Sequence, residues 1–366
     1  MDLDNLPRVY RQLVPDFFKD PSRWPSETQA TCHACPMLAQ PDEPSPPRRR
    51  IFTQTHRCCT YTPALTNWQA GRILREGGVG AQRLLARLDD ADGVDGDGVH
   101  SDLFSQKVYT NGEPDRFGSM ELRCPYWVEG PLSCSIWSNR NSICRNWYCK
   151  TVDGRQGQQV WNATKELMYA LELAVCRWLV EIGPPPANGI VLSAFSDEDL
   201  PLQDERMAQA RAAYDKQMWV DWFLWCADRI ERVTDEEADE LRESAEVRGN
   251  MIRLRTAVAN RKAPMPDVPL ASLAHWEHQG DRVALMPYSI FDPLYAPPWI
   301  FKLLSKLDGK TPWRDAVAAT EAEVGEKLDP EFMPRLWRAG GLSWPDPRDY
   351  ERGARSNVSI VPIPTL

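Results

Sequence analysis

The sequence has no long hydrophobic run. No stretch approaches the roughly 18 consecutive apolar residues that a membrane-spanning helix needs. The chain begins with the acidic segment Met1-Asp2-Leu3-Asp4, whereas a secretory signal peptide begins with basic residues followed by an apolar core. We therefore expect a soluble, cytoplasmic protein that does not associate with membranes.

The motifs of several large enzyme classes are also missing. The sequence contains no GxGxxG, no GxxxxGK[ST], no GxSxG and no HExxH. These motifs are typical of dinucleotide-binding folds, P-loop enzymes, α/β-hydrolases and zinc peptidases. None of those classes therefore has its usual support here.

Positive charge is in deficit. The chain has 43 Lys and Arg residues against 52 Asp and Glu residues, so its formal net charge is −9. An acidic chain is a poor general ligand for the phosphate backbone of nucleic acids. The stretch 301–338 carries seven basic and seven acidic residues, so it lacks the positive excess of a DNA-recognition helix. We therefore expect a small-molecule or peptide substrate rather than DNA, and the sequence is compatible with a homodimer.

Cysteine, in contrast, is abundant. Eight of the ten cysteines lie between residues 32 and 149. In a chain without a secretory signal, such a group indicates metal or redox chemistry before disulfides. The predicted metal ligands are Cys32, Cys35, Cys58, Cys59, Cys124, Cys134, Cys144 and Cys149. The other two, Cys176 and Cys226, lie in helical patterns and are predicted to be core thiols.

The uneven distribution of cysteine divides the chain into three predicted parts. Residues 1–156 form a loop-rich, cysteine-cluster metal-binding domain, and residues 157–262 form a helical domain. Residues 263–366 form a linker followed by a winged-helix-like module. The predicted fold is mainly α, with an irregular, metal-organised N-terminal segment.

Helical periodicity supports the central domain. Apolar residues repeat at spacings of three and four across 157–182, where glycine and three prolines end the helix. A second helix is predicted from about Asp204 to Glu231. Thr234 and Glu237 form a capping box that begins a charge-rich helix running to about Lys262.

Two local features are predicted in the N-terminal part. Residues 67–90 form a helix that is broken near the glycines of 77–80. The stretch 90–100, rich in aspartate and glycine, forms a flexible solvated loop.

The C-terminal part follows a proline-rich linker. A short strand is predicted at 282–285, and helices are predicted at 299–307, from 311 to about 324, and from 329 to the glycines at 340. This arrangement resembles a winged-helix module, and similar modules bind leader peptides in peptide-modifying systems. Peptide recognition and a structural or dimerising role both remain open, while the charge balance disfavours DNA.

The spacing of the cysteines favours a soft metal. Thiolate selects zinc, copper(I) and iron–sulfur clusters. Cys32 and Cys35 form a chelating CxxC pair. The adjacent Cys58 and Cys59 point in different directions in an extended chain, so they serve two metal atoms more easily than one. Four cysteines satisfy one zinc ion or one four-iron cluster, and eight satisfy two such sites.

Three interpretations of the cysteines remain open: disulfides or inert thiols, structural zinc, and an iron–sulfur cluster. The neighbouring residues favour the cluster, because cations would offset its negative charge and aromatic rings would limit access of water and oxygen. The cations are Arg123, Arg140, Arg145 and Lys150, and the aromatic residues are Tyr126, Trp127, Trp137, Trp147 and Tyr148.

The cysteine pattern resembles a known family over residues 30–150. The elements Cys32-x2-Cys35, Cys58-Cys59, Cys124-Pro125-Tyr126, Cys134-Ser135-Ile136-Trp137 and Cys144-Arg145-Asn146-Trp147 are similar to the zinc- or iron-chelating cysteine-cluster family of the YkgJ type. The sequence departs from that family in lacking a proline before Cys144 and in a longer gap after Cys35. A fainter resemblance, to flagellin lysine N-methylases, covers the vicinal cysteines and the Cys-Pro-Tyr element. The resemblance implies a zinc or iron–sulfur centre held by these cysteines.

These features predict an iron–sulfur-cluster (or zinc) metalloprotein. Its expected role is that of a metal-dependent redox or group-transfer enzyme acting on a small molecule or a peptide side chain, with catalytic residues that the sequence does not identify. The alternative is a non-catalytic, zinc-stabilised module that binds a peptide or a protein.

Overall fold

The computed structural model describes residues 8–14, 16, 19–27, 59–91, 93–101, 105, 120–130, 133–148, 150–183, 185–186, 214–261, 263–273, 275–289 and 292–345. Within these residues the fold is mainly α, as predicted. The helices are α1 (Arg8–Leu13), α2 (Asn67–Glu76), α3 (Gly78–Asp90), α4 (Ser142–Arg145), α5 (Gly154–Ile182), α6 (Lys216–Ile230), α7 (Asp235–Arg242), α8 (Ala245–Asn260), α9 (Ile300–Lys306), α10 (Trp313–Val324) and α11 (Phe332–Arg338).

The strands are short and form four small antiparallel sheets. They are β1 (Leu65–Thr66), β2 (Val94–Asp95), β3 (Gly98–Val99), β4 (Trp127–Val128), β5 (Ser133–Cys134), β6 (Leu270–Ala271), β7 (Trp276–Gln279), β8 (Arg282–Leu285), β9 (Leu294–Ala296) and β10 (Leu342–Ser343). The sheet orders are β1-β3-β2, β4-β5, β6-β10 and β7-β8-β9. Because each sheet has only two or three strands, the strands are stabilised mainly by packing against helices.

Two hydrophobic cores organise the described residues. The first core combines side chains from α1, α2, α3 and the β4–β5 hairpin with the helices α5 to α8. The second core lies between the β7-β8-β9 sheet and the helices α9 to α11. The described residues of 1–156 and of 157–262 therefore share one core, whereas 263–345 has its own.

The helix predicted over 67–90 is broken where the sequence indicated. Gly77 has a φ of 75°, a backbone conformation that favours glycine, and it separates α2 from α3. α2 packs along α6, and Gly71 is the point of closest approach, where a methyl group would overlap the carbonyl oxygen of Phe223. The break lets the two helices pack on different neighbours.

The long central helix is confirmed, since α5 runs over Gly154–Ile182 and begins three residues before the predicted start. The described part of the second predicted helix, Lys216–Ile230, is helical. Its predicted first turns, 204–213, lie outside the described residues. Across the parts of the chain that the structure covers, no helix combines the length and the apolar character needed to cross a membrane.

The third helix is predicted to run without a break to about Lys262, and this prediction is wrong because the structure has two helices there. The capping box is present, with the Thr234 side chain accepting from the Glu237 amide and the Glu237 side chain accepting from the Thr234 amide. The chain then turns at residues 243–244, and the Ser244 hydroxyl accepts from the amide of Val247 at 3.3 Å to begin α8. A second cap inside the charge-rich stretch therefore divides it into two helices.

The stretch 90–100 is not a flexible solvated loop. It forms the β2–β3 hairpin, in which the Asp95 side chain accepts hydrogen bonds from the amides of Asp97 and Gly98. Gly98 has a φ of 149° and lies against the backbone of β1, where a side chain would overlap Leu65. The aspartate and glycine residues thus build a tight turn that packs in the first core.

The C-terminal part has its predicted elements. The strand at Arg282–Leu285 is β8, and the three predicted helices correspond to α9, α10 and α11. Two further strands, β7 and β9, flank β8 and precede the helices. The resemblance to a winged-helix module stays a prediction.

Candidate metal centre

Four of the eight predicted ligands lie within the described residues. These are Cys59, Cys124, Cys134 and Cys144. The other four, Cys32, Cys35, Cys58 and Cys149, lie outside the described residues. The candidate centre is therefore described by the positions of Cys59, Cys124, Cys134 and Cys144.

The β4–β5 hairpin brings Cys124 and Cys134 to one place. Residues 124–127 form a turn in which the Trp127 amide donates to the Cys124 carbonyl oxygen at 3.1 Å. Trp127 then pairs directly with Cys134 across the hairpin, so these two side chains lie on the same face. The Ser135 amide continues the pairing by donating to the Tyr126 carbonyl oxygen at 2.9 Å. The Cys-Pro-Tyr turn and the second cysteine thus form one compact unit.

Cys59 joins this unit through its backbone. The Cys124 amide donates to the Cys59 carbonyl oxygen at 2.8 Å. Cys59 and Cys134 are half-buried and pack against the first core, which includes Cys124. Three of the predicted ligands, distant in sequence, are therefore neighbours in the fold.

Burial, complete at Cys124 and partial at Cys134, favours the uncharged thiol form of both side chains. Burial raises the pKa of Cys124 to about 12, and a hydrogen bond from the Tyr126 amide acts in the opposite direction. Burial also raises the pKa of Cys134, where a hydrogen bond from the Ile136 amide opposes the rise. In each case the amide belongs to the residue two positions after the cysteine. Hydrogen bonds of this kind stabilise the charged sulfur that a metal requires.

Two arginines that the sequence analysis missed lie behind the Cys124 turn. Arg83 on α3 donates through Nη1 to the carbonyl oxygens of Pro125 and Trp127, so it clamps the turn to the helix. Arg87, one helical turn later, donates to the His100 carbonyl oxygen. Both cations lower the pKa of Cys124. The available signal was an arginine pair at i and i+4 on a helix, but only the fold places that pair beside the cysteine.

The predicted cations have unequal roles. Arg140 lowers the pKa of Cys134, as the sequence interpretation requires. Arg145 donates to the carbonyl oxygens of Ser138 and Arg140, and therefore supports the loop between β5 and α4. Arg123 pairs with Glu129 and Lys150 is exposed.

The predicted aromatic residues also divide into two groups. Tyr126 and Trp127 are buried and surround the hairpin cysteines with apolar surface. Tyr148 packs on Trp161, with ring centroids 4.6 Å apart. Trp137 and Trp147 are each more than half exposed, so the prediction that they form a dry wall is wrong. Both lie in short connecting segments next to α4, where solvent reaches their rings.

Gly80 allows α3 to approach the hairpin closely. A methyl group on Gly80 would lie 2.6 Å from the Ser135 carbonyl oxygen and 2.9 Å from the Ile136 side chain. These residues immediately follow Cys134. The absence of a side chain at Gly80 is therefore required for this packing.

Cys144 lies on the four-residue helix α4. The Asn141 side chain caps this helix by accepting from the Cys144 amide at 3.0 Å. Burial raises the pKa of Tyr61 to about 12, and the nearby Cys144 contributes to the rise. The structure thus places Cys144 beside Tyr61, on the segment that leads from Cys59 to β1.

The remaining cysteines are core thiols, as predicted. Cys176 and Cys226 are fully buried within α5 and α6. The Cys176 thiol donates to the Asp97 carbonyl oxygen at 3.1 Å. These positions give both residues a packing role.

The donor chemistry of the hairpin fits a thiolate-bound metal. Cys124 and Cys134 are reduced thiols in apolar surroundings, and each has a backbone amide directed at its sulfur. The buried Trp127 Nε1–H beside them has no hydrogen-bond partner among the described residues. The same residues contain no group of three or more Cys, His, Asp or Glu side chains that could hold a metal ion. The hairpin thus supplies two sulfur donors, and a metal bound here would take its other ligands from other segments.

A comparison of the chain with protein-family models, with curated proteins and with solved structures finds no match in any of the three.

Proposed function

We propose that this chain is a cysteine-ligated metalloprotein whose centre is an iron–sulfur cluster. The hairpin cysteines Cys124 and Cys134 provide the core of the ligand set. The remaining ligands come from Cys32, Cys35, Cys58, Cys59, Cys144 and Cys149. The observation that carries the proposal is the pair of free thiols, one buried and one half-buried, that the β4–β5 hairpin brings together.

The fixed ends of the segment 28–58 support convergence of the other cysteines. At one end, Glu27 accepts hydrogen bonds from the Val152 amide and from the Trp161 indole, both at 2.9 Å. Val152 is three residues from Cys149. At the other end, the Cys59 carbonyl oxygen accepts a hydrogen bond from the Cys124 amide. Both residues that flank the segment therefore lie next to chain that carries cysteines.

An iron–sulfur cluster is favoured over zinc for two reasons. Eight cysteines exceed the four that one structural zinc ion needs. In addition, Arg83 and Arg87 place two cations behind Cys124, where they would offset the negative charge of a cluster. A bound cluster would supply single-electron transfer. We therefore propose a cytoplasmic, metal-dependent redox or group-transfer enzyme that acts on a small molecule or a peptide side chain.

Metal analysis of the full chain tests this proposal. The chain is produced anaerobically with iron supplied, and iron, zinc and acid-labile sulfide are measured per chain together with the visible spectrum. We expect iron, sulfide and broad absorption near about 400 nm, as is typical of sulfur-to-iron charge transfer. Colourless protein with stoichiometric zinc and no iron would contradict the cluster.

A second candidate function is a non-catalytic, zinc-stabilised module that binds a peptide or a protein. It is favoured by an aromatic side chain on the C-terminal sheet, Trp276, which is 48% exposed. Trp276 also packs edge-on against Phe301 of α9, with ring centroids 4.9 Å apart. Exposed aromatic rings on a rigid element are suited to peptide contact. In that case the metal analysis gives zinc.

A further inference from the structure

The first core contains a buried carboxylate, Glu172, that is not one of the predicted metal ligands. Glu172 on α5 is 1% exposed. Its Oε1 accepts hydrogen bonds from the Tyr10 hydroxyl and from the side-chain Nε2 of Gln69, the latter at 3.0 Å. Its Oε2 accepts from Ser142 twice, from the backbone amide at 3.2 Å and from the hydroxyl at 2.8 Å. Four donors from three other elements therefore converge on one side chain.

Placing a carboxylate in a core is unfavourable unless hydrogen bonds replace its water shell. Burial raises the pKa of Glu172, and the hydrogen bonds from Tyr10 and Ser142 lower it. An apolar side chain of similar volume would fill the same space without this cost. The carboxylate is therefore better explained by what it holds in place than by packing.

What Glu172 holds is the start of α4. Ser142 is the first residue of this helix and Cys144 is the third. A helix of four residues is too short to be stable by itself, so external groups must fix it. The carboxylate binds the first turn, the Asn141 side chain caps it, and the Asn146 side chain donates to the Ser142 carbonyl oxygen at 2.9 Å. The position of Cys144 thus depends on these contacts.

We propose that Glu172 is a positioning residue for Cys144, and that it fixes the backbone of this cysteine for metal ligation by holding the first turn of α4. The inference rests on the proposed function, because it takes Cys144 as a ligand. Glu172 acts through Ser142 and is not itself a ligand.

The variant Glu172→Gln tests this role with little change in shape. It replaces one acceptor oxygen by an NH2 group, so at least one of the buried donors faces another donor and loses its partner. Glu181→Gln is the matched control, since Glu181 lies on the same helix and is exposed. Both variants are made in the full-length chain and purified anaerobically.

The first measurement is the alkylation rate of each cysteine with iodoacetamide, followed by mass spectrometry, in folded wild type and variants from which a chelator has removed the metal. In Glu172→Gln we expect Cys144 to react about tenfold faster, because an unpaired buried donor favours local opening of α4. The rates of Cys124 and Cys134 should stay as in the wild type. The second measurement is metal content, which should fall in Glu172→Gln and remain unchanged in Glu181→Gln.

Two results would overturn the proposal. One is a wild-type Cys144 rate in Glu172→Gln, and the other is an equal increase at Cys124, Cys134 and Cys144, which would indicate general loosening of the core. If Glu172→Gln does not fold, Ser142→Ala decides by the same criteria, because it keeps the carboxylate and removes one donor. A wild type that contains no metal as purified refutes the proposed function. If the wild type does contain metal, an unchanged Cys144 rate in metal-free Glu172→Gln refutes the role of Glu172 alone.

Discussion

Gly80 lies where α3 passes closest to the residues that follow Cys134. Glycine inside a helix usually lowers stability by about 1 kcal/mol relative to alanine, so its presence needs a reason. The reason is contact with the hairpin, since a methyl group would lie 2.6 Å from the Ser135 carbonyl oxygen. At the scale of single residues, the candidate centre depends on a missing side chain as well as on the thiols.

We therefore predict that Gly80→Ala lowers the free energy of unfolding by about 1–3 kcal/mol, because the added methyl group overpacks the contact. Gly130→Ala is the control, since a methyl group at this position, in the turn of the same hairpin, would meet no atom of the described residues within 4 Å. Urea unfolding of both variants provides the measurement. Unchanged or increased stability of Gly80→Ala would show that the contact is not tight.

His100 and Asp95 form a pair in the β2–β3 hairpin, with His100 Nε2 at 2.9 Å from Asp95 Oδ2. This hydrogen bond raises the pKa of His100. Because the folded-state pKa lies above the unfolded value, the pair stabilises the fold fully below about pH 6.5. The contribution is lost as the pH rises through the folded-state pKa.

The corresponding prediction concerns the pH dependence of stability. Between mildly acidic and mildly alkaline pH, the free energy of unfolding of the wild type should decrease more than that of His100→Gln, in which the titrating group is absent. Asp95→Asn should show the same reduced pH dependence. Identical pH profiles for the wild type and His100→Gln would disprove the coupling.

At the scale of elements, the sequence predicts a helix or strand correctly when local interactions determine it. It fails when a weak local signal or a tertiary contact determines the element. The helices over 154–182 and 300–338 were predictable because their periodicity and their ends are local. The division at Ser244 was missed because one more cap within a polar, charge-rich stretch is a weak signal. The β2–β3 hairpin was missed because strands of two residues have no periodicity, and their pairing with β1 is a tertiary contact.

The same distinction applies to the candidate site. The number and spacing of the cysteines in the sequence predict chemistry with a soft metal. The hairpin register that pairs Trp127 with Cys134, and the proximity of Arg83 to the Cys124 turn, depend on contacts between distant segments. Glu172 gave no signal either, because a glutamate on an amphipathic helix is ordinarily exposed.

The contact between α2 and α6 provides a prediction at this scale. Gly71 lies directly against the Phe223 carbonyl group, so Gly71→Ala must separate the two helices. We expect a loss of about 3 kcal/mol in the free energy of unfolding. Gly249→Ala on α8, where a methyl group would meet nothing within 4 Å in the part of the chain that the structure covers, should be stabilising or neutral. Equal stability of the two variants in thermal or urea unfolding would contradict this packing.

At the scale of the whole molecule, the second core is attached to the first at the start of α5. The Thr151 amide donates to the Tyr288 hydroxyl at 3.3 Å, and Gly154 lies directly against the backbone of Ala339. Gly340 packs against the Arg155 side chain. The C-terminal part therefore docks on the helical part through a mixed polar and apolar interface.

We predict that a chain ending at Arg261 keeps its metal, because all eight predicted ligands precede that residue and the first core is complete without 263–345. Removal of the C-terminal part uncovers the start of α5, so we expect lower solubility or loss of activity. Metal content and sedimentation of the truncated and full chains give the comparison. Loss of metal on truncation would mean that the C-terminal part helps to build the centre.

If the β4–β5 hairpin holds the metal, as we propose, metal content should depend on its two cysteines, and three serine variants measure that dependence. Cys124→Ser and Cys134→Ser remove hairpin thiols, while Cys176→Ser removes a buried thiol on α5. We predict that both hairpin variants lose most of their metal, and that Cys176→Ser keeps its full metal content with a modest loss of stability from a buried hydroxyl. Equal metal content in all three variants would contradict the account.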